Sequence, residues 1–164
     1  MLSGESAQGK FPVQAVATMA EIAETTENDI NYEGRFHKED IGVINIADAV
    51  SHSTCSMAID VDAKAIVACT KSGYTAKRVS RFRCPVDVIA MTTDKKCWRK
   101  LALSWGVTPV LVDRFTSLDV MFYHAIGRAK QMLSLESGDR VVLTGGPIDG
   151  NVGNTNTIKV ETIA

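Results

Sequence analysis

Short apolar runs alternate with helix-like runs along most of this chain, and that alternation restricts the possible folds more than any other feature. The strand-like runs cover residues 65–70, 86–92, 109–113 and 140–144. Stretches of helical composition lie between them, at residues 76–81, 94–105 and 118–133, and another precedes them at residues 45–59. Strands and helices that alternate at this spacing are typical of βαβ units and a parallel sheet.

The last run of the chain has a different pattern. Ile158, Val160 and Thr162 fall on one side of residues 157–163, and Lys159 and Glu161 fall on the other. Such alternation indicates an edge strand with one face in water, which suits antiparallel pairing. We therefore expect an α/β fold with three layers. Its five-stranded sheet is mostly parallel, with helices on both faces and an antiparallel last strand.

Cap residues mark the ends of two expected helices. Asp94 and Ser117 are placed to accept hydrogen bonds from the first turns of the helices that follow them. Gly106 is placed to end the helix over residues 94–105.

A polar turn links the first strand to the first helix of this alternation. It consists of Thr70, Lys71, Ser72, Gly73, Tyr74 and Thr75, and we call it loop 70–75. The unpaired N–H groups and the dipole of a helix start favour an anion. Hydroxyl groups add donors, Lys71 adds charge, and Gly73 allows close approach of the backbone. These residue types indicate a phosphate site, although a plain βα turn has similar composition.

A second glycine-rich stretch, residues 145–156, separates the last two strands. Loops that leave the carboxyl ends of parallel strands gather on one rim of the sheet, where ligands usually bind. We expect this stretch and loop 70–75 to share that rim.

Composition excludes several classes of protein. The 164 residues carry a net charge of −1, which gives no general electrostatic case for nucleic-acid binding. No apolar run is long enough to span a bilayer, so no membrane partner is expected. The four cysteines form no C-x-x-C pair, which favours reduced thiols in a cytoplasmic protein.

Signals for catalysis or for a metal are weak. His37, His52 and His124 are scattered without metal-ligand spacing, and no nucleotide-binding or nucleophile motif is present. We expect no catalytic residue, no metal site and no cofactor in this chain.

Several segments resemble pyruvate kinase. Residues 1–16, which begin MLSGESAQGKFP, resemble the segment that closes the catalytic barrel of that family. Residues 62–76, 101–107 and 138–142 and the TNTIKV ending at residues 155–160 are similar to its C-terminal domain, with a bacterial character. The resemblance implies three parts: residues 1–27 as the last strand end and helix of the barrel, 28–40 as a linker, and 41–164 as the C-terminal α/β domain.

Pyruvate kinase makes pyruvate and ATP from phosphoenolpyruvate and ADP in glycolysis, using magnesium and potassium. The resemblance implies that the residues for this chemistry lie upstream of Met1, so the chain should be inactive alone. It implies that residues 41–164 provide allosteric regulation and one interface of a homotetramer, next to the barrel of the parent chain. Thr70, Lys71, Ser72, Gly73, Tyr74 and Thr75 match the family's loop for the effector phosphate.

One difference from the family concerns a second phosphate. Members regulated by fructose 1,6-bisphosphate hold it with a Trp and an Arg, but residues 113–121 offer Asp119 near the place of that Arg. A carboxylate repels phosphate, so a sugar monophosphate or AMP is favoured. Two alternatives stay open: a free-standing small-molecule sensor, and a purely structural assembly module with an empty effector loop.

Overall fold

The computed structural model describes residues 1–38, 41–147 and 153–164, which form two compact units. The first unit, Met1–Asn31, holds helices α1 (Gly4–Ala7) and α2 (Pro12–Asp29). The second unit, Tyr32–Ala164, holds α3 (Tyr32–Lys38), α4 (Ile46–Asp60), β1 (Ala65–Cys69), α5 (Tyr74–Arg81), β2 (Val88–Thr92), α6 (Lys95–Leu101), β3 (Val107–Leu111), α7 (Leu118–Leu133), β4 (Arg140–Gly145) and β5 (Thr157–Thr162).

The five strands of the second unit form one sheet in the order β3-β2-β1-β4-β5. The pairs β1–β2, β1–β4 and β2–β3 are parallel, and β4–β5 is antiparallel. The expected mostly parallel sheet and its antiparallel last strand are therefore confirmed. Strand β1 lies at the centre and all five of its residues are buried.

Successive residues of β1 serve opposite faces of the sheet, which is why two separate cores form. Ile66 and Ala68 belong to the core under α4, α5 and α6, where Phe82, Ile66 and Leu101 are the largest fully buried side chains. On the opposite face, the core around Val67 is covered by α7. Helices on both faces complete the expected three layers.

The expected caps of α6 and α7 are confirmed. The Asp94 carboxylate accepts a hydrogen bond from the Cys97 N–H, and the Ser117 hydroxyl accepts one from the Val120 N–H at 3.2 Å. Each cap satisfies a backbone donor that has no partner within its own helix.

The expected end of α6 was wrong. The helix stops at Leu101 rather than at Trp105, because the N–H groups of Leu103 and Ser104 bond carbonyls three residues back rather than four. The Trp105 carbonyl in turn accepts a hydrogen bond from the Ser80 hydroxyl at 2.6 Å. The Trp105 ring also lies 5.0 Å from the Tyr32 ring and 4.8 Å from the Arg83 guanidinium. These contacts hold residue 105 away from the helical path.

Strand β3 correspondingly begins at Val107 rather than at residue 109. Gly106 has φ +62° and lies directly before the strand, so it makes the turn into β3 instead of ending α6. Pro109 lacks an N–H donor but is tolerated, because β3 is an edge strand.

The stretch expected to be a linker, residues 28–40, contains regular structure. Helix α2 continues to Asp29, and α3 buries Phe36 against the His52 ring at 4.9 Å. Residues 39 and 40 lie outside the described residues.

Helix α2 buries none of its side chains. Its exposed apolar residues are Val13, Val16, Met19 and Ile22. No helix in the described ranges combines the length and apolar character needed to cross a membrane.

Candidate functional site

Loop 70–75 is shaped by a hydrogen bond and by one glycine. The Thr70 hydroxyl accepts a hydrogen bond from the Gly73 N–H at 3.0 Å, which closes the turn after β1. Gly73 has φ +84°, and a Cβ atom there would lie 3.1 Å from the Cys97 Sγ atom and 3.2 Å from the Leu101 Cδ2 atom. The turn therefore requires glycine for both its dihedral angle and its packing.

The six predicted site residues differ in accessibility. Lys71 and Ser72 are exposed, Tyr74 is half-buried, and Thr70, Gly73 and Thr75 are buried. The hydroxyl groups of Thr75 and Thr155 are hydrogen-bonded at 2.7 Å. The structure therefore brings the six residues together, but the hydroxyls of Thr70 and Thr75 already have protein partners.

The start of α5 adds backbone donors to the exposed part of the loop. The Lys77 N–H donates to the Gly73 carbonyl at 3.0 Å, so the N–H groups of Tyr74, Thr75 and Ala76 precede the helical ladder. Together with the Lys71 ammonium and the Ser72 hydroxyl, they form a set of donors that can bind one phosphate group.

The second glycine-rich stretch meets loop 70–75, as expected. A Cβ atom on Gly153 would lie 3.7 Å from the Tyr74 ring, and Thr155 makes the hydroxyl pair with Thr75. Residues 148–152 of that stretch lie outside the described residues.

Tyr74 also connects loop 70–75 to a buried ion pair. The Arg78 guanidinium lies 4.8 Å from the centre of the Tyr74 ring and 2.9 Å from the carboxylate of Asp48. The Asp48 side chain is fully buried and also lies 3.7 Å from Arg81. The first turn of α5 is therefore tied to the start of α4.

A pocket of about 100 Å³ opens beside loop 70–75 at the carboxyl ends of β1 to β4. Lys71 lines it, together with Thr92, Arg114, Phe115 and Pro147. The Thr92 hydroxyl donates to the Lys71 carbonyl at 3.3 Å and so helps to fix the backbone there.

Sequence reasoning gave weight to Asp119 in this region and expected little from Arg114. Asp119 lies in the first turn of α7, is exposed, and is absent from the described lining of the pocket. Arg114 is the cation that the segment after β3 supplies. The position of Arg114 in the sequence could have identified it, because the segment after β3 leaves the same rim of the sheet as loop 70–75.

Cys69 lines the pocket, but its thiol is a poor nucleophile. Burial raises the pKa of Cys69 to about 12, since the charged thiolate would lose its hydration. Cys69 therefore stays protonated near neutral pH, and a neutral thiol is a poor nucleophile. All four cysteines are buried and free.

His52 and His124 are packed against aromatic rings. His52 lies between Phe36 and Phe82, at 4.9 Å and 5.2 Å, and His124 stacks on Phe115 at 5.1 Å. Within the described ranges, no group of three or more His, Cys, Asp or Glu side chains could hold a metal ion. The residues present therefore do not fit the magnesium site that the resemblance implies for the parent enzyme.

Comparison with known proteins gives a consistent assignment. Pyruvate kinase of Clostridium acetobutylicum is 42% identical over 165 residues, which cover 99% of this chain and 35% of that protein. Pyruvate kinase 2 of Synechocystis is 42% identical over 164 residues, covering 99% of this chain and 27% of that protein. A crystal structure of a Cryptosporidium parvum pyruvate kinase aligns with TM-score 0.83 and 30% identity over 99% of this chain and 32% of that chain.

The chain thus spans about a third of the length of these relatives. A family model described as the pyruvate kinase alpha/beta domain matches residues 48–161. That match covers more than half of the chain and includes loop 70–75, strands β1 to β4 and all of β5 except its last residue. The chain therefore belongs to the pyruvate kinase family and carries its C-terminal α/β domain.

Proposed function

We propose that this chain is the regulatory and oligomerisation part of a pyruvate kinase, and that loop 70–75 binds the phosphate of an effector. The parent enzyme would convert phosphoenolpyruvate and ADP to pyruvate and ATP. Magnesium and potassium would be held by the parent's catalytic residues. Among the described residues of this chain, no group of three or more His, Cys, Asp or Glu side chains could hold a metal ion. Phosphoryl transfer needs such cations around the phosphate, so the chain alone is inactive.

The observation that carries the effector proposal is the set of donors at the start of α5. Lys71 and Ser72 are exposed beside the unpaired first N–H groups of an eight-residue helix. An ammonium group, a hydroxyl and several N–H groups within one short turn are suited to one phosphate. The adjoining pocket would hold the rest of the effector.

A sugar monophosphate or AMP remains the favoured effector, because loop 70–75 contains one cation and so suits one phosphate. Lys71 is the cation beside the α5 start, and Arg114 is the other cation among the described residues that line the pocket. Fructose 1,6-bisphosphate would therefore have to place its second phosphate on Arg114. Asp119 does not line the pocket, so its charge carries less weight than the sequence suggested.

Calorimetry at constant ionic strength tests the effector site. Ribose 5-phosphate, glucose 6-phosphate, AMP and fructose 1,6-bisphosphate are titrated into the chain and into Lys71→Ala. A charge-assisted hydrogen bond contributes roughly 1.5–3 kcal/mol, so affinity should fall by about tenfold or more. Lys77→Ala, an exposed lysine further along α5, is the matched control and should bind normally.

Two results would contradict this proposal. Equal affinity in Lys71→Ala and wild type would remove loop 70–75 as the phosphate site. Far tighter binding of the bisphosphate than of every monophosphate would overturn the choice of effector but leave the site in place.

A second candidate, a structural assembly module with an empty loop, is favoured by the internal hydroxyl bonds. Both side chains are buried, the Thr70 hydroxyl accepts from the Gly73 N–H, and the Thr75 hydroxyl is bonded to Thr155, so both are less accessible to a ligand than the exposed Ser72 hydroxyl. If none of the four ligands binds, the chain is better described as a structural assembly module than as an effector-binding domain.

We further propose that residues 1–27 are the last strand end and helix of the parent's catalytic barrel, that residues 28–40 are a linker, and that residues 41–164 form an interface of a homo-oligomer. Helix α2 supports this division, because its 18 residues bury no side chain and carry several exposed apolar ones. A free-standing small-molecule sensor would not need an exposed apolar helix such as α2, so the helix disfavours the sensor alternative.

A further inference from the structure

A second depression lies beside the pocket, on the side of α7 that faces the end of β3. We call it the α7 groove, and its volume is about 710 Å³. Its principal polar and aromatic residues are Lys95, Arg114, Phe115, His124 and Arg128. No residue of loop 70–75 lines it. Its volume is in the range of sites for small metabolites.

The α7 groove concentrates positive charge. Lys95 comes from the start of α6, Arg114 from the segment after β3, and Arg128 from α7. Asp113 is the single carboxylate among the described residues that line it. The whole chain has a net charge of −1, so this gathering of cations does not reflect a generally basic surface.

Among the described residues, these cations have no acidic ion-pair partner. In the part of the chain that the structure describes, no ion pair involves Lys95, Arg114 or Arg128. Arg128 donates a hydrogen bond at 3.3 Å to the neutral side chain of Gln131. Three cations from three separate elements therefore share one concavity with one carboxylate.

The groove also has an apolar wall. The Phe115 and His124 rings stack at 5.1 Å with an angle of 21° between their planes, which fixes one side of the groove. Leu111 and Val120 add apolar surface beside them. Stacked rings next to exposed cations are suited to a carbon skeleton that carries several anionic groups.

We propose that the α7 groove binds a small organic polyanion, with at least two phosphate or carboxylate groups, at a site separate from loop 70–75. A guanidinium matches either oxyanion through two parallel N–H donors, and Lys95 adds a point charge. Arg114 and Phe115 line both the groove and the pocket, so ligands at the two sites would influence each other through them. This site does not depend on the proposed effector function.

The test titrates the intact chain with pyrophosphate and, separately, with citrate at constant ionic strength, followed by amide NMR shifts and calorimetry. Both titrations are repeated in Lys71→Ala, which weakens any competing site at loop 70–75. We expect saturable shifts at Lys95, Val120, His124 and Arg128 that persist in that variant. Arg128→Gln should weaken this binding at least tenfold, and the better probe identifies phosphate or carboxylate as the preferred group.

Arg99→Gln is the matched control, because Arg99 is exposed on α6 and lines neither the pocket nor the groove. It should change the affinity less than twofold. Equal losses in Arg99→Gln and Arg128→Gln, or shifts confined to residues 70–75, would overturn the proposal. Lys95→Gln repeats the test if Arg128→Gln fails to keep the wild-type melting temperature.

Discussion

At the scale of single residues, Gly73 is important both for the shape of loop 70–75 and for the packing of that loop against α6. Its φ of +84° and the neighbouring Cys97 and Leu101 atoms leave no room for a side chain. Gly73→Ala should therefore lower the free energy of unfolding by about 1–3 kcal/mol, as expected for a strained left-handed residue with a close contact. Urea denaturation measures the change.

Gly127 provides the control for that substitution. It lies within α7, and a Cβ atom there would meet nothing within 4 Å. Gly127→Ala should be neutral or stabilising by up to about 1 kcal/mol, since alanine favours helix. Equal losses in the two variants would show that the argument from φ and packing at Gly73 is wrong.

At the scale of elements, the ion pair between α4 and α5 supports the helix that begins at loop 70–75. Asp48 is fully buried, and its carboxylate meets Arg78 at 2.9 Å and also accepts a hydrogen bond from the Asn45 side chain at 3.1 Å. Asp48→Asn should cost roughly 2–4 kcal/mol, somewhat below a fully buried pair because Arg78 keeps contact with water. Thermal and urea unfolding measure the loss.

Asp60→Asn is the matched control on α4. Asp60 is exposed and accepts a hydrogen bond from Ser56 at 3.4 Å, so its loss should stay within about 0.5 kcal/mol. If Asp48→Asn is equally mild, the ion pair does not hold α5 in place.

At the scale of the whole molecule, the chain should show no pyruvate kinase activity by itself. Its described residues provide no metal-binding group, and it spans about a third of its relatives. A lactate dehydrogenase-coupled assay with saturating phosphoenolpyruvate, ADP, magnesium and potassium should read at background. Turnover that survives purification and is absent from a mock preparation would contradict this expectation.

The chain should also self-associate. Val13, Val16 and Ile22 are exposed on α2, and apolar surface of this kind tends to be covered by a partner. We expect a dimer or larger species by sedimentation equilibrium at tens of micromolar, a concentration at which weak interfaces form. Val16→Glu should shift the equilibrium toward monomer, whereas Glu24→Lys on the same helix should not. A clean wild-type monomer would refute this.

Local patterns were enough to predict the strands, most helices and the class of the sheet. An apolar run such as β1 has to be buried, and the caps at Asp94 and Ser117 act within one turn of chain. The position of loop 70–75 at the carboxyl rim also followed from the strand–helix order alone. All these features depend on neighbours close in sequence, which a linear pattern records.

Only the tertiary structure decided which polar groups of the site are available to a ligand. Thr75 bonds Thr155 across 80 positions, Arg114 rather than Asp119 lines the pocket, and the Ser80 hydroxyl bonds the Trp105 carbonyl across 25 positions. Each outcome depends on two segments that meet only after the sheet has formed. The sequence determined where loop 70–75 lies on the sheet. The packing of distant segments determined which of its polar groups are exposed to a ligand.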